Sequence, residues 1–152
     1  MTVASANLNE FFAEGCIEFS KPRNFIEAAR QASQLLSSEG LAVDQYADQI
    51  EEIILSKGPY MVVAPQVAIV HGRPDVDSKT GAALVLSENE LISGSVNDPV
   101  RLVFAISAGN NDDHIEMLKT LSGFLVNEDS VGNLLACSTI SEVRDIFSDN
   151  LS

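Results

Sequence analysis

The chain has 152 residues, 45% of them hydrophobic and 20% charged. That suits one ordinary core, with roughly two-thirds of the chain's surface buried on folding, and excludes collagen, a long coiled coil and bulk disorder. Nine Lys and Arg against 22 Asp and Glu leave a formal charge of −13: a nucleic acid or an anionic membrane meets net repulsion with no basic cluster to overcome it, whereas a basic protein partner is attracted.

The N-terminus has no basic residue before Lys21 and so lacks the charged start of a secretory signal. The most apolar stretch, Met61 to Val70, covers only about half a bilayer and contains Pro65 and Gln66. Cys16 and Cys137 make neither a disulfide framework nor a zinc site. Two reduced, buried thiols in a cytoplasmic protein are expected.

Along the chain, Leu8, Phe11 and Phe12 sit at helical spacing, with Gly15 as a stop. Cys16 to Phe19 alternates like a short strand. Asn24 with Glu27 has capping-box spacing, and Phe25, Ala28, Ala29, Ala32, Leu35 and Leu36 give the helix that follows an apolar face ending at Gly40. A second helix runs from about Asp44, through Tyr46, Ala47, Ile50, Ile53 and Ile54, to Gly58-Pro59. Strands are predicted at Tyr60 to Val63, Val67 to Val70, Ala82 to Leu86 and Val100 to Ser107. Leu102 to Ile106 is apolar throughout, as in a central strand covered on both faces. After the polar turn Asn110 to Asp113 comes a helix carrying Ile115, Leu118, Leu121, Phe124 and Leu125, with Asp113 and Glu116 at capping-box spacing. Two short helices, around Val131 to Ala136 and Ser141 to Phe147, finish the chain. The expected fold class is α/β: a single domain over residues 1–152, with a mixed β-sheet flanked by helices on both faces.

Only two histidines occur, His71 and His114. His71 closes an apolar strand and opens the loop Gly72-Arg73-Pro74-Asp75, at a strand end where α/β proteins place ligands. His114 follows the predicted helix cap, where free N–H groups and the dipole favour anions. An imidazole with a pKa near 6.5 is largely neutral and nucleophilic at pH 7, so the pair could converge on a phosphoryl group, with Arg73 as a further phosphate contact. Spacing alone equally permits a strand-end residue and an ordinary first-turn residue without chemistry; geometry separates the two. Asp112-Asp113-His114 reads as a helix cap rather than a metal cluster. Asp75 and Asp77 read as a solvated loop with turn hydrogen bonds. Ser87, Ser93 and Ser95 lack a nucleophile elbow, and no phosphate-binding loop or dinucleotide fingerprint is present.

The segments Gly58-Pro59-Tyr60, Ala64-Pro65 and Val67-Ala68-Ile69-Val70-His71-Gly72-Arg73-Pro74 resemble the active-site region of phosphotransferase-system enzyme IIA components. The likeness is to the mannitol/fructose superfamily, most of all its ascorbate-type branch. Asn97-Asp98-Pro99-Val100 and Asp113-His114-Ile115-Glu116 are similar to the family's second segment, and the resemblance extends from about Leu8 to Phe147.

The resemblance implies the mannitol-type enzyme IIA fold and a cytoplasmic phosphocarrier of the sugar phosphotransferase system, without metal or organic cofactor. His71 would accept a phosphoryl group from phospho-HPr, whose basic face suits an acidic partner, and pass it to the cognate enzyme IIB. In the ascorbate-type branch the acceptor in IIB is a cysteine, and IIC carries the sugar across the membrane. His114 would be the stabilising neighbour. A homodimer is compatible with the sequence. Other readings of the same residues are a regulatory binding module with little phosphotransfer and a nitrogen-regulatory IIA protein. The family usually places proline where this chain has Val70 and glycine where it has Gln66. Val70 is expected to loosen the loop or add a donor near the phosphoryl group, and Gln66 to resist a turn requiring positive φ.

Overall fold

The computed structural model describes residues 8–149. A 3-10 turn at Leu8–Phe11 leads into β1 (Ile17–Ser20), α1 (Phe25–Ser38), α2 (Tyr46–Lys57), β2 (Val62–Ala64), β3 (Val67–His71), β4 (Gly81–Leu91) and β5 (Val100–Ser107). Three helices follow: α3 (Asn111–Leu125), α4 (Glu128–Leu135) and α5 (Ile140–Asp149). The strands form one mixed sheet in the order β1-β4-β5-β3-β2. β1 pairs parallel with β4 and β3 parallel with β5, whereas β4–β5 and β2–β3 are antiparallel.

The two-residue period of the strands sorts the apolar side chains into two layers. Ala68, Val70, Val103 and Ala105 pack with Ala28, Ala29 and Ala32 of α1 and Ile50 of α2. Val67, Ile69, Phe104 and Ile106 pack with Met117 and Leu121 of α3 and Phe147 of α5. Small side chains on both sides let α1 approach β4 and β5 closely. On the opposite face Phe147 stacks on Phe12 at 4.4 Å. Arg144 ties α5 to the amino-terminal turn through Asn9 and the carbonyls of Phe12 and Ala13.

Most elements lie where the apolar periodicity puts them. Asn24 caps α1 by accepting from the Glu27 amide at 2.8 Å, but the Glu27 carboxylate reaches the Arg23 amide rather than that of Asn24. Leu8–Phe11 forms a single 3-10 turn with Leu8 buried. β4 continues beyond Leu86 through a shifted register to Leu91. The capping-box reading of Asp113 and Glu116 is corrected: the cap of α3 is Asn110, whose side chain accepts from the Asp113 amide at 2.8 Å. Asn outcompetes Asp here because its amide also donates to the Asp113 carboxylate at 3.0 Å. Both cysteines are free; Cys16 is buried as expected, Cys137 only half-buried.

Candidate functional site

Alternation along β3 turns Val67 and Ile69 toward the face that α3 covers, and His71 is the next residue of that series. With the cap moved back to Asn110, His114 becomes the fourth residue of α3, its amide already bonded to the Asn110 carbonyl at 3.1 Å. The sheet and the helix thus bring both histidines to the carboxyl end of β3 and β5. Their ring centroids are 5.3 Å apart with the planes inclined at 60°.

The His71 ring is oriented by its own strand. Nδ1 lies 3.0 Å from the Ile69 carbonyl, an oxygen that can only accept, so Nδ1 carries the hydrogen and the lone pair of the neutral ring is on Nε2. The His71 amide donates to the Met61 sulfur at 3.4 Å, and the Tyr60 ring stands edge-on at 6.4 Å. Burial pulls the His71 pKa below its ordinary value, partly offset by the Ile69 carbonyl. The His114 pKa is also lowered, first by burial and then by the charge of His71. Both rings are therefore neutral at pH 7, the state in which Nε2 is a nucleophile.

His114 Nδ1 is, among the described residues, the buried side-chain nitrogen or oxygen that lacks a hydrogen-bond partner. Buried polar atoms are nearly always satisfied, so this orphan beside the His71 ring marks the pair as a candidate functional site. The first-turn carboxylates of Asp112 and Asp113 offset the anion affinity of this helix end.

Arg73 lies two residues beyond His71 and is exposed. It faces a shallow depression shared with Gln49, Glu52 and Ser56 of α2. The loop it belongs to folds back on the sheet: the Asp75 amide donates to the Ala108 carbonyl at 3.1 Å, and the Asp77 amide to the Asp75 carboxylate at 2.8 Å. The Asp77–Asp75 bond is the turn hydrogen bond expected of that pair.

Gln66 does adopt positive φ, 72°, as the second corner of the Pro65-Gln66 turn joining β2 to β3. The Asn97 segment holds it there: the Gln66 amide donates to the Asn97 carbonyl at 3.1 Å, and its carbonyl accepts from Arg101 and Leu102 at 3.0 Å each. Val70 is fully buried in the ladder opposite Ala105. Because the Leu102 amide reaches Gln66, the register turns the Val70 N–H toward the Phe104 carbonyl. The expectation of a looser loop or an added donor at Val70 is thus corrected: that N–H belongs to the sheet.

Sequence reasoning missed Tyr46, counted as one apolar residue of a helix face. It is 3% exposed, and its hydroxyl accepts from the Gly72 amide at 2.9 Å and donates to the Ile106 carbonyl. A tyrosine on an otherwise apolar face was the available signal, since a buried phenol needs a partner.

The family model described as the phosphoenolpyruvate-dependent sugar phosphotransferase system, EIIA 2, matches residues 10–150. The mannitol-specific cryptic phosphotransferase enzyme IIA component of Escherichia coli (strain K12) is 29% identical over 143 residues, covering 93% of this chain and 97% of that protein. The ascorbate-specific PTS system EIIA component of the same strain is 31% identical over 124 residues, 80% of each chain. The solution structure of the E. coli mannitol-specific cryptic enzyme IIA superposes with a TM-score of 0.86 at 28% identity, covering 95% of this chain and 99% of that one. The E. coli complex of enzyme IIA mannitol with phosphorylated enzyme IIB mannitol matches in fold, with a TM-score of 0.75 at 24% identity over 90% of this chain and 96% of the other.

Proposed function

Since the chain belongs to the EIIA 2 family of the sugar phosphotransferase system, a family of phosphoryl-carrying phosphotransferase components, we propose that His71 is its phosphoryl acceptor and His114 the neighbour that stabilises the transferred group. The observation that carries this reading is the pair itself: two neutral imidazoles 5.3 Å apart, one with Nε2 free by tautomer, the other with a buried Nδ1 awaiting a partner.

The donor is phospho-HPr. The Nε2 lone pair of His71 forms the new N–P bond as the donor's N–P bond breaks and its electron pair returns to the donor nitrogen. Positive charge that builds on the His71 ring is shared with the Ile69 carbonyl through the Nδ1–H bond. Charge that develops on the phosphoryl oxygens is met by His114; Arg73, turned toward the α2 depression, lies outside the pair. The acceptor is a cognate enzyme IIB, in line with the IIA–IIB complex named for the E. coli mannitol proteins. Exposed Tyr60 and Ile115 flank the two rings and form the apolar part of the docking surface, while the net charge of −13 draws a basic partner. No helix of the described residues is long and apolar enough to cross a membrane, which suits a carrier that works in the cytoplasm and leaves sugar passage to a separate IIC. Mannitol-type and ascorbate-type relatives match at similar identity, so the sugar class is decided by which IIB discharges the phosphoprotein.

The test is intact-mass analysis after incubation with phosphoenolpyruvate, enzyme I and HPr, with His71→Ala in parallel. The expected result is an acid-labile gain of one phosphoryl group in the parent and none in the variant. Full labelling of His71→Ala, or no gain in a folded parent beside an active HPr, overturns the assignment.

A further inference from the structure

The parallel ladder between β3 and β5 runs from Val67↔Leu102 to His71↔Ile106. The Leu102 amide bonded to the Gln66 carbonyl sets the parity: even-numbered residues of β5 turn their N–H and C=O groups toward β3. One more regular rung would carry the Gly72 N–H to the Ile106 carbonyl. That rung is not made directly. The Tyr46 hydroxyl occupies it, accepting from the Gly72 amide at 2.9 Å and donating to the Ile106 carbonyl. Gly72 is part of the device, because a Cβ there would stand 3.0 Å from Tyr46 Cε1.

A hydroxyl spliced into the ladder holds the two strands farther apart than a direct N–H···O=C bond would. The parting falls one residue beyond His71, on the backbone that also sets the ring through the Ile69 carbonyl. Tyr46 is the first residue of α2, so the helix that packs under the sheet also fixes where β3 leaves β5. Burial pushes the Tyr46 pKa up to about 12, which keeps the hydroxyl a donor throughout the neutral range.

We propose that Tyr46 is a positioning residue: its hydroxyl completes the β3–β5 ladder at Gly72 and Ile106 and thereby fixes the backbone from which His71 presents Nε2 beside His114. For the chemistry it serves, this rests on the reading of His71 as phosphoryl acceptor.

Tyr46→Phe keeps the ring and removes the splice. The expected result is a fall on the order of tenfold in the rate of phosphoryl acceptance from phospho-HPr with KM for phospho-HPr unchanged. Ring-nitrogen NMR of the unphosphorylated variant should show a displaced His71 titration and a changed Nδ1–H signal. Ile50→Val, buried one turn further along the same helix and without a bond to Gly72 or Ile106, should lower the melting temperature without either change. If Tyr46→Phe does not fold, Gly72→Ala presses on the same ring from the other side and should displace the same His71 signals. A Tyr46→Phe protein, or failing that a Gly72→Ala protein, with parental His71 signals and transfer rate would overturn the proposal. The NMR arm needs no phosphoryl donor, so a parent that accepts no phosphoryl group would count against the acceptor reading while the His71 signals still decide the role of Tyr46.

Discussion

Replacing Gln66 with glycine should stabilise the protein. Among the described residues Gln66 is the non-glycine residue with positive φ, at 72°, and its side-chain amide has no hydrogen-bond partner among them. All its recorded bonds are made by the backbone: the amide to Asn97 at 3.1 Å, and the carbonyl from Arg101 and Leu102 at 3.0 Å. Glycine keeps every one of these. An L residue in the left-handed region costs ~1–2 kcal/mol relative to glycine, and the added freedom of glycine in the unfolded chain takes back ~0.4–1 kcal/mol. The net gain is ~0–1.6 kcal/mol, centred on about 0.8 kcal/mol, a rise of roughly 2–3 °C in melting temperature at this chain length for the central value. Urea unfolding followed by circular dichroism measures it, with Gln66→Ala as the control. Alanine keeps the φ penalty and loses the amide, so it should stay within ~0.5 kcal/mol of the parent. A glycine variant no more stable than the alanine one would refute the reasoning. Phosphoryl acceptance should be unchanged in both.

Other outcomes follow from the same geometry. His114→Ala should slow phosphoryl acceptance and shorten the lifetime of the phosphoprotein without abolishing labelling, as read by a quenched time course. Because both imidazoles have lowered pKa values, the unfolded chain binds more protons than the folded one between the unfolded value near 6.5 and the folded values below it. Stability should therefore fall as pH drops through that window and level off beneath it, and the His71→Gln/His114→Gln double variant should lose that part of the slope in urea titrations. Val70→Pro should destabilise by ~1–3 kcal/mol, because it deletes the N–H that the register turns toward Phe104; unchanged stability would show that this rung is not made.

The layers of the fold were legible because apolar period decides them. The three-to-four spacing of Phe25, Ala28, Ala29 and Ala32 fixed the buried face of α1, and the unbroken run Leu102 to Ile106 required cover on both sides, which the sheet centre supplies. The positions of His71 and His114 were legible for the same reason, as a strand end and a first helical turn. Their proximity came from the family resemblance and not from the period, since it depends on which face of the sheet α3 covers. The cap went astray because Asn110 and Asp113 both satisfy the local pattern, and only the three-dimensional turn selects Asn110. Tyr46 was hidden because its ring obeys the helix period while its hydroxyl answers to strands 26 and 60 residues away in sequence.

The electrostatics of the site argue for a covalent anchor over an ion-binding pocket. Asp112 and Asp113 occupy the first turn of α3, where an anion would otherwise sit, and a chain of net charge −13 repels free phosphate. In the unphosphorylated protein burial, and after it the charge of His71 when that ring is protonated, lowers the pKa of His114. A dianionic group on Nε2 reverses the sign of that interaction, so His114 takes up a proton more readily once the phosphoryl group has arrived. On the proposed role of His71, the stabilising charge would then exist only while the N–P bond does. Discharge to the acceptor would remove both together and leave the pair neutral, ready for another transfer.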